Sequence, residues 1–206
     1  MSTKISQLTA SSTLLKSTDL LEVAVYNGST YDSKKMNGSQ ILGERYIGES
    51  FGGGVVFHLW RGTDGIQHGL IVGLTDLSTS QAWSNVTATL IGAGAQSTWD
   101  GLSNSNAIVA QVGHTNSAAK LCLDSTANGQ TDWYLPSVDE LLLALHNRFE
   151  VAQGLTTAGG DQFAFTNYWS STEYILTNAW GCNSFSIISG DNPKGVVARV
   201  RAIRKF

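Results

Sequence analysis

Charge is what this chain has least of. Asp, Glu, Lys and Arg make up 14% of its 206 residues, against about 25% in ordinary soluble domains. The 13 Lys and Arg are outnumbered by 16 Asp and Glu, a net charge of −3. The basic patch by which nucleic-acid binders hold phosphates is therefore not expected. No run approaches the ~18 consecutive apolar residues of a membrane helix. The opening "MSTKISQLTASSTLL" carries a lysine but no continuous apolar stretch, so a secretory signal is not expected and assembly in a cytoplasm is. Cysteine is limited to Cys122 and Cys182. In a cytosolic product these are expected as free thiols, buried as small apolar groups.

In place of charge the chain has 22 glycines and much Ser, Thr and Asn, a composition of turns and loops. Its length suits one domain with a real core and a small appendage. Residues 1–47 differ in texture from the rest. Leu20, Leu21, Val23 and Val25 suit a strand, "NGS" at Asn27–Ser29 a turn, and the region near Tyr31 a second strand. So small a hairpin holds no core alone and should be ordered by a partner or by copies of itself.

From Glu49 the pattern changes. "GGGVVFHLW" (Gly52–Trp60) and "GLIVGL" (Gly69–Leu74) read as a hairpin that brings His58 near His68. No third metal ligand accompanies that pair, so a structural role is expected. Residues 75–105 show little periodicity, with Trp83 and Trp99 either buried or anchoring a partner. Ser105–Gly113 and Asn116–Ser125 read as a broken helical stretch with Ile108, Val109, Val112, Ala119 and Cys122 as its apolar positions. A second helix is better specified. Ser137 and Glu140 form a capping box, Val138, Leu141, Leu142, Leu145 and Phe149 recur at helical spacing, and the end is expected before Gly154.

The tail reads as β-structure. Strands are expected at Tyr168–Tyr174 and Ala179–Ile188, with a turn at Gly190–Asn192. The terminal "GVVARVRAIRKF" alternates, which places Val196, Ala198, Val200 and Ala202 inward and leaves Arg199 and Arg201 partly exposed or paired.

Three phrases carry a resemblance: "DWYLPSVDELLLAL" (Asp132–Leu145), "YWSSTEY" (Tyr168–Tyr174) and "VRAIRKF" (Val200–Phe206). In this order they resemble the C-terminal domain family named after a Legionella collagen-like adhesin. That family is similar to the C-type-lectin and formylglycine-generating-enzyme folds. The resemblance implies an α+β, C-type-lectin-like domain over residues 48–206, with two main helices and antiparallel strands, and Trp169 as a core element. Residues 1–47, through Ile5, Leu8, Asp19, Leu20, Leu21 and Val23, resemble the attachment segments of bacteriophage fibres. This implies a virion location, with residues 1–47 joined to other virion proteins and a homotrimer as the usual assembly.

Catalytic readings meet obstacles. The formylglycine-generating relatives use a cysteine pair, but Cys122 falls in a helical pattern and Cys182 in a strand, with no matching spacing. Of the carboxyls Asp132, Asp139, Glu140 and Glu173, two belong to the first turn of a capped helix, where negative charge complements the dipole. Ser170 and Ser171 lack a G-x-S-x-G elbow. The calcium-dependent lectin phrases "EPN" and "QPD" are absent, the nearest being "DNPK" at Asp191–Lys194. Oxygen-rich loops at Asp161 or Asp191 lack ligand spacing. No cofactor or metal is expected, and no enzyme.

A binding surface accounts for more of the sequence. Thr166–Asn192 is dense in Tyr, Trp, Asn and Ser, the mix of rigid rings and adaptable amides that paratopes use. Tyr174, Asn178, Trp180, Asn183 and Asn192 are the candidate receptor-binding residues, for a host cell-surface glycan or protein. A bacterial surface adhesin, and an oxidase related to formylglycine-generating enzymes, are the alternatives.

Overall fold

The computed structural model describes residues 20–26, 28–37 and 44–206. The chain divides into two compact units, residues 1–44 and residues 45–206. In the first, β1 (Leu20–Tyr26) pairs antiparallel with β2 (Tyr31–Asn37), with Tyr26 opposite Tyr31 at the closed end. Gly28 has φ +98°, a left-handed conformation that glycine enters without steric cost. The expected strand, turn and strand are thus present. Ile5, Leu8, Asp19 and Asn27 lie outside the described residues.

The second unit is a mixed α+β domain with four α-helices and two sheets among the described residues. Strands β3 (Ser50–Phe51), β4 (Gly54–Arg61), β5 (Gln67–Gly73) and β11 (Ile203–Lys205) form an antiparallel sheet in the order β11-β5-β4-β3. Strands β6 (Ser78–Ala82), β7 (Asn167–Glu173), β8 (Asn178–Asn183), β9 (Ile188–Pro193) and β10 (Val197–Val200) form the other, ordered β6-β10-β7-β8-β9. Its one parallel pairing joins β10 to β7.

The expected β4–β5 hairpin is present, and β4 is apolar on both sides because both are covered. Val56 enters a cluster with Ile71, Trp83, Trp133, Trp169 and Val200. Val55 and Phe57 enter another with Val72, Tyr134 and Ile203, closed by Val151 and Leu155.

The helices depart from the expected pair. α1 (Gly101–Val109) begins four residues before Ser105, because Asp100 supplies the cap by accepting from the Ser103 N–H at 3.1 Å. It ends before Val112, which is 94% exposed rather than part of an apolar face. α2 (Ala118–Leu123) starts at the Ser117 cap and buries Cys122. α3 (Val138–His146) carries the expected capping box, with the Ser137 hydroxyl accepting from the Glu140 N–H and the Glu140 carboxylate accepting from the Ser137 N–H.

The helix that was to run on toward Gly154 breaks at Asn147, whose Nδ2 donates to the Phe57 carbonyl at 2.9 Å. A separate α4 (Arg148–Thr157) then continues past Gly154, and Phe149 lies exposed. Gly154 is internal to α4 because the helix presses on the Gly48 carbonyl there, leaving no space for a Cβ.

The tail also differs. Gly190–Asn192 is not a turn but part of β9, and the reversal falls between Asn183 and Ile188. Val200 and Ala202 are buried as expected, whereas Val196 is exposed. Arg201 and Ile203 are each only 1% exposed. Alternation fails here because the chain leaves one sheet at Val200 and enters the other at Ile203, so Arg201, Ala202 and Ile203 are all enclosed. No helix among the described residues is long and apolar enough to cross a membrane.

Candidate functional site

A shallow concave surface is built on β7, β8 and β9. β8 and β9 pair without a register shift, so their side chains alternate strictly between two faces. Asn178, Trp180 and Cys182 take the face toward α3, where Val138, Leu141 and Leu145 pack on Cys182 and Tyr168. Gly181 and Asn183 take the other face, which carries a shallow trough of about 290 Å³. Gly190 stands opposite Gly181 and leaves the floor open, since a Cβ there would meet nothing within 4 Å, whereas Gly181 is buried beside the Trp169 and Asn192 side chains. Asn167, Asn183, Ser186, Ile188 and Asn192 are among the residues that border it.

The border is held in place by its own hydrogen bonds. Asn183 Nδ2 donates to Asn167 Oδ1 at 2.9 Å. Its Oδ1 accepts from the N–H groups of Phe185 and Ser186, both at 3.1 Å, and from Ser186 Oγ at 3.2 Å. An asparagine that caps its own turn in this way fixes the loop that follows. Ile187 closes that loop at φ +55°, a region β-branched residues rarely enter, and its side chain packs beside the α3 cluster.

Buried Ser184 ties the loop to the segment before β7. Its Oγ donates to the Ala164 carbonyl at 2.5 Å, and its N–H donates to the Thr166 carbonyl at 3.0 Å. The residue between those two carbonyls is Phe165, and the residue after Ser184 is Phe185. Their rings meet edge to face at 5.6 Å while remaining 74% and 68% exposed. Two large rings held together in water, each two residues in sequence from an asparagine of the trough, form an apolar rim of the kind that marks contact surfaces.

The five residues expected to bind are split by the sheet. Asn183 and Asn192 border the trough. Tyr174, Asn178 and Trp180 form a second group on the α3 side. There Tyr174 and Trp180 meet edge to face at 5.0 Å, and Asn178 Nδ2 donates to Asp191 at 2.7 Å. Sequence reading passed over Phe165, Asn167, Phe185 and the two glycines. Phe165 lies one residue outside the Thr166–Asn192 stretch, and Phe185 lies within it at a position expected to be part of a strand. The Gly181–Gly190 pairing exists only through strand register, which no local signal specifies.

No family model and no curated protein sequence matches this chain. The chemistry therefore rests on the residues themselves. Both thiols are buried and free, in separate clusters. Burial raises the Cys122 thiol well above its ordinary range and pushes Cys182 up to about 12.

Three of the four carboxyls are likewise engaged, and Asp139 lies exposed on the first turn of α3. Glu140 caps α3 and accepts from Tyr134 Oη at 3.0 Å. Asp132 holds Arg204 at 2.7 and 2.9 Å, and this pairing keeps its carboxyl below the usual range. Glu173 is buried against Lys194 at 2.6 Å. Ser170 and Ser171 are fully enclosed.

His58 and His68 do not meet either. Trp60 lies between them, stacked on each at 5.9 and 5.8 Å. Among the described residues no three His, Cys, Asp or Glu side chains gather as metal ligands. The two undecided tryptophans separate, Trp83 into the core and Trp99 to 71% exposure.

Proposed function

We propose that the protein is a non-enzymatic phage virion component, a tail or head fibre subunit whose residues 48–206 bind a receptor on the host surface, a glycan or a protein. Residues 1–47 attach it to other virion proteins, and the subunit assembles as a homotrimer. The observation that carries the binding role is the amide-bordered trough with the exposed Phe165–Phe185 pair beside it. Exposed, preorganised aromatics among uncharged hydrogen-bonding groups give contact area at little entropic cost.

The C-type-lectin-like reading draws support from the phrases that carried the resemblance. Each has a scaffold role: the capping box opens α3, Trp169 is buried, and the last residues pair into a sheet. The oxidase alternative needs two cooperating thiols, and here each thiol is enclosed among different apolar neighbours. The attachment role draws on the β1–β2 hairpin, a two-stranded element too small to stand alone in water.

The test is competition. Purified protein added to host cells should reduce adsorption of the particles that carry it, in proportion to dose. Undiminished adsorption at saturating protein would refute the receptor-binding role.

A further inference from the structure

We infer that the trough between Asn167 and Asn192 binds an uncharged saccharide, with a sugar ring laid over the open floor at Gly190. This rests on the receptor-binding reading above and names the chemical class of the receptor. Size is the first argument. At about 290 Å³ the trough lies at the lower limit of small-molecule sites, fit for one or two rings rather than a folded partner's surface.

Charge is the second. No Lys or Arg lines it. Its one acid, Asp191, belongs by alternation to the opposite face, where it accepts from Asn178. The side chains left to meet a ligand are amides, hydroxyls and one isoleucine. Asn167 Nδ2 and Asn192 Oδ1 have no protein partner among the described residues. One offers donors and the other an acceptor, which suits sugar hydroxyls that both donate and accept. A sulfated or sialylated chain would leave its charge unmatched here.

The third argument is the rim. Phe165 and Phe185 present ring faces and edges to solvent at the Asn167–Asn183 end. An extended saccharide leaving the trough can cover them with its apolar C–H faces. Binding that uses a fixed floor and a fixed rim loses little conformational freedom. Repetition on a particle compensates for weak single sites.

Gly190→Val isolates the site. A Cβ at Gly190 meets nothing within 4 Å, and valine suits a strand, so the substitution fills the trough without disturbing the fold. Asn167→Ala removes the unpartnered donors as a second variant, Trp60→Ala on the β4–β5 hairpin serves as a distant control, and melting curves check folding in all three.

Fluorescent full-length protein is bound to host cells, to cells oxidised with periodate and to cells treated with protease. Polysaccharide extracted from the same cells, split by anion exchange into unretained and retained fractions, serves as competitor. We expect binding that periodate abolishes, protease spares and the unretained, neutral fraction competes away. Gly190→Val should weaken it by about tenfold or more, Asn167→Ala by less, and Trp60→Ala not at all.

Binding that survives periodate but not protease, or that only the acidic fraction competes, overturns the saccharide and leaves receptor binding intact. Saccharide binding unchanged in a folded Gly190→Val protein overturns the trough as its place. Absence of any binding to host cells overturns the receptor reading and this inference with it.

Discussion

Glu173 and Lys194 are both fully enclosed as side chains, yet neither lacks partners. The carboxylate accepts from the N–H groups of Ile91 and Gly92 at 3.0 and 2.7 Å, and the ammonium donates to it at 2.6 Å and to the carbonyls of Thr89 and Leu176 at 3.2 and 2.9 Å. The end of β7, the turn after β9 and the segments holding Thr89–Gly92 and Leu176 thus converge on one ion pair. Its attraction is offset by the cost of drying both charges, but removing one member strands the other. Lys194→Met should lower unfolding free energy by about 3–5 kcal/mol, read from denaturant midpoints, and adding Glu173→Gln should recover part of that loss. The cysteines lend themselves to an equally direct test. With Cys182 pushed up to about 12 and Cys122 raised by burial, almost no thiolate exists at pH 8. An aromatic disulfide reagent should find no reactive thiol in the native protein and two after denaturation. The sequence pointed to buried, free thiols, since cysteine is commonly buried as a small apolar residue. It gave no notice that Lys194 is enclosed, because lysine is seldom buried and its partner lies twenty-one residues away.

At the scale of elements, local chemistry was legible where a capping box opens a helix, and less so at the start of α1, at Gly101 rather than the expected Ser105, and at helix ends. α3 starts at its capping box because Ser137 and Glu140 satisfy each other's N–H groups within one turn. Its end depends on Asn147 reaching the Phe57 carbonyl, ninety residues away in sequence. Gly154 illustrates the same divide. Glycine reads as a helix stop, and alanine in a helix interior is favoured over it by roughly 1 kcal/mol. Here, however, a Cβ would run into the Gly48 carbonyl and lie 2.6 Å from Val55 Cγ1. Gly154→Ala should therefore destabilise the domain by about 1–2 kcal/mol, the crowding outweighing the propensity gain, as chemical denaturation would reveal. The reversal after β8 was misplaced for a related reason. Gly190 and Asn192 have the composition of a turn, but the turn is made by Asn183 capping its own loop, and the glycine serves as a flat position in a paired strand.

Across the whole molecule, the last residues join the two sheets. β10 belongs to the five-stranded sheet and β11 to the four-stranded one. Between them Arg201 donates to Asp76 at 2.5 Å and to the carbonyls of Gly73, Leu74 and Asp161, while Arg199 reaches the same Asp76 at 2.7 Å. Ile203 exchanges main-chain hydrogen bonds with Tyr134 at 2.9 and 3.0 Å and fills the cluster beneath α4. A chain ending at Val200 should show no cooperative thermal transition. It loses a sheet strand, a core residue and a buried cation's partnership, together comparable with the roughly 5–15 kcal/mol that holds a domain folded. A sharp, unshifted melt of that shortened chain would show that the tail is not needed. By itself, the sequence determined the hairpins and the capped start of α3, because each follows from contacts or periodicities within a few residues, and its phrases and cysteine content pointed to the α+β character and the buried thiols. Only the tertiary structure decided that Arg201 is enclosed, that Asn178 and Asn183 face opposite ways, and that Gly181 meets Gly190 to leave a trough. Those outcomes depend on strand register and on where the chain changes sheets, and both are settled by packing between residues far apart in sequence.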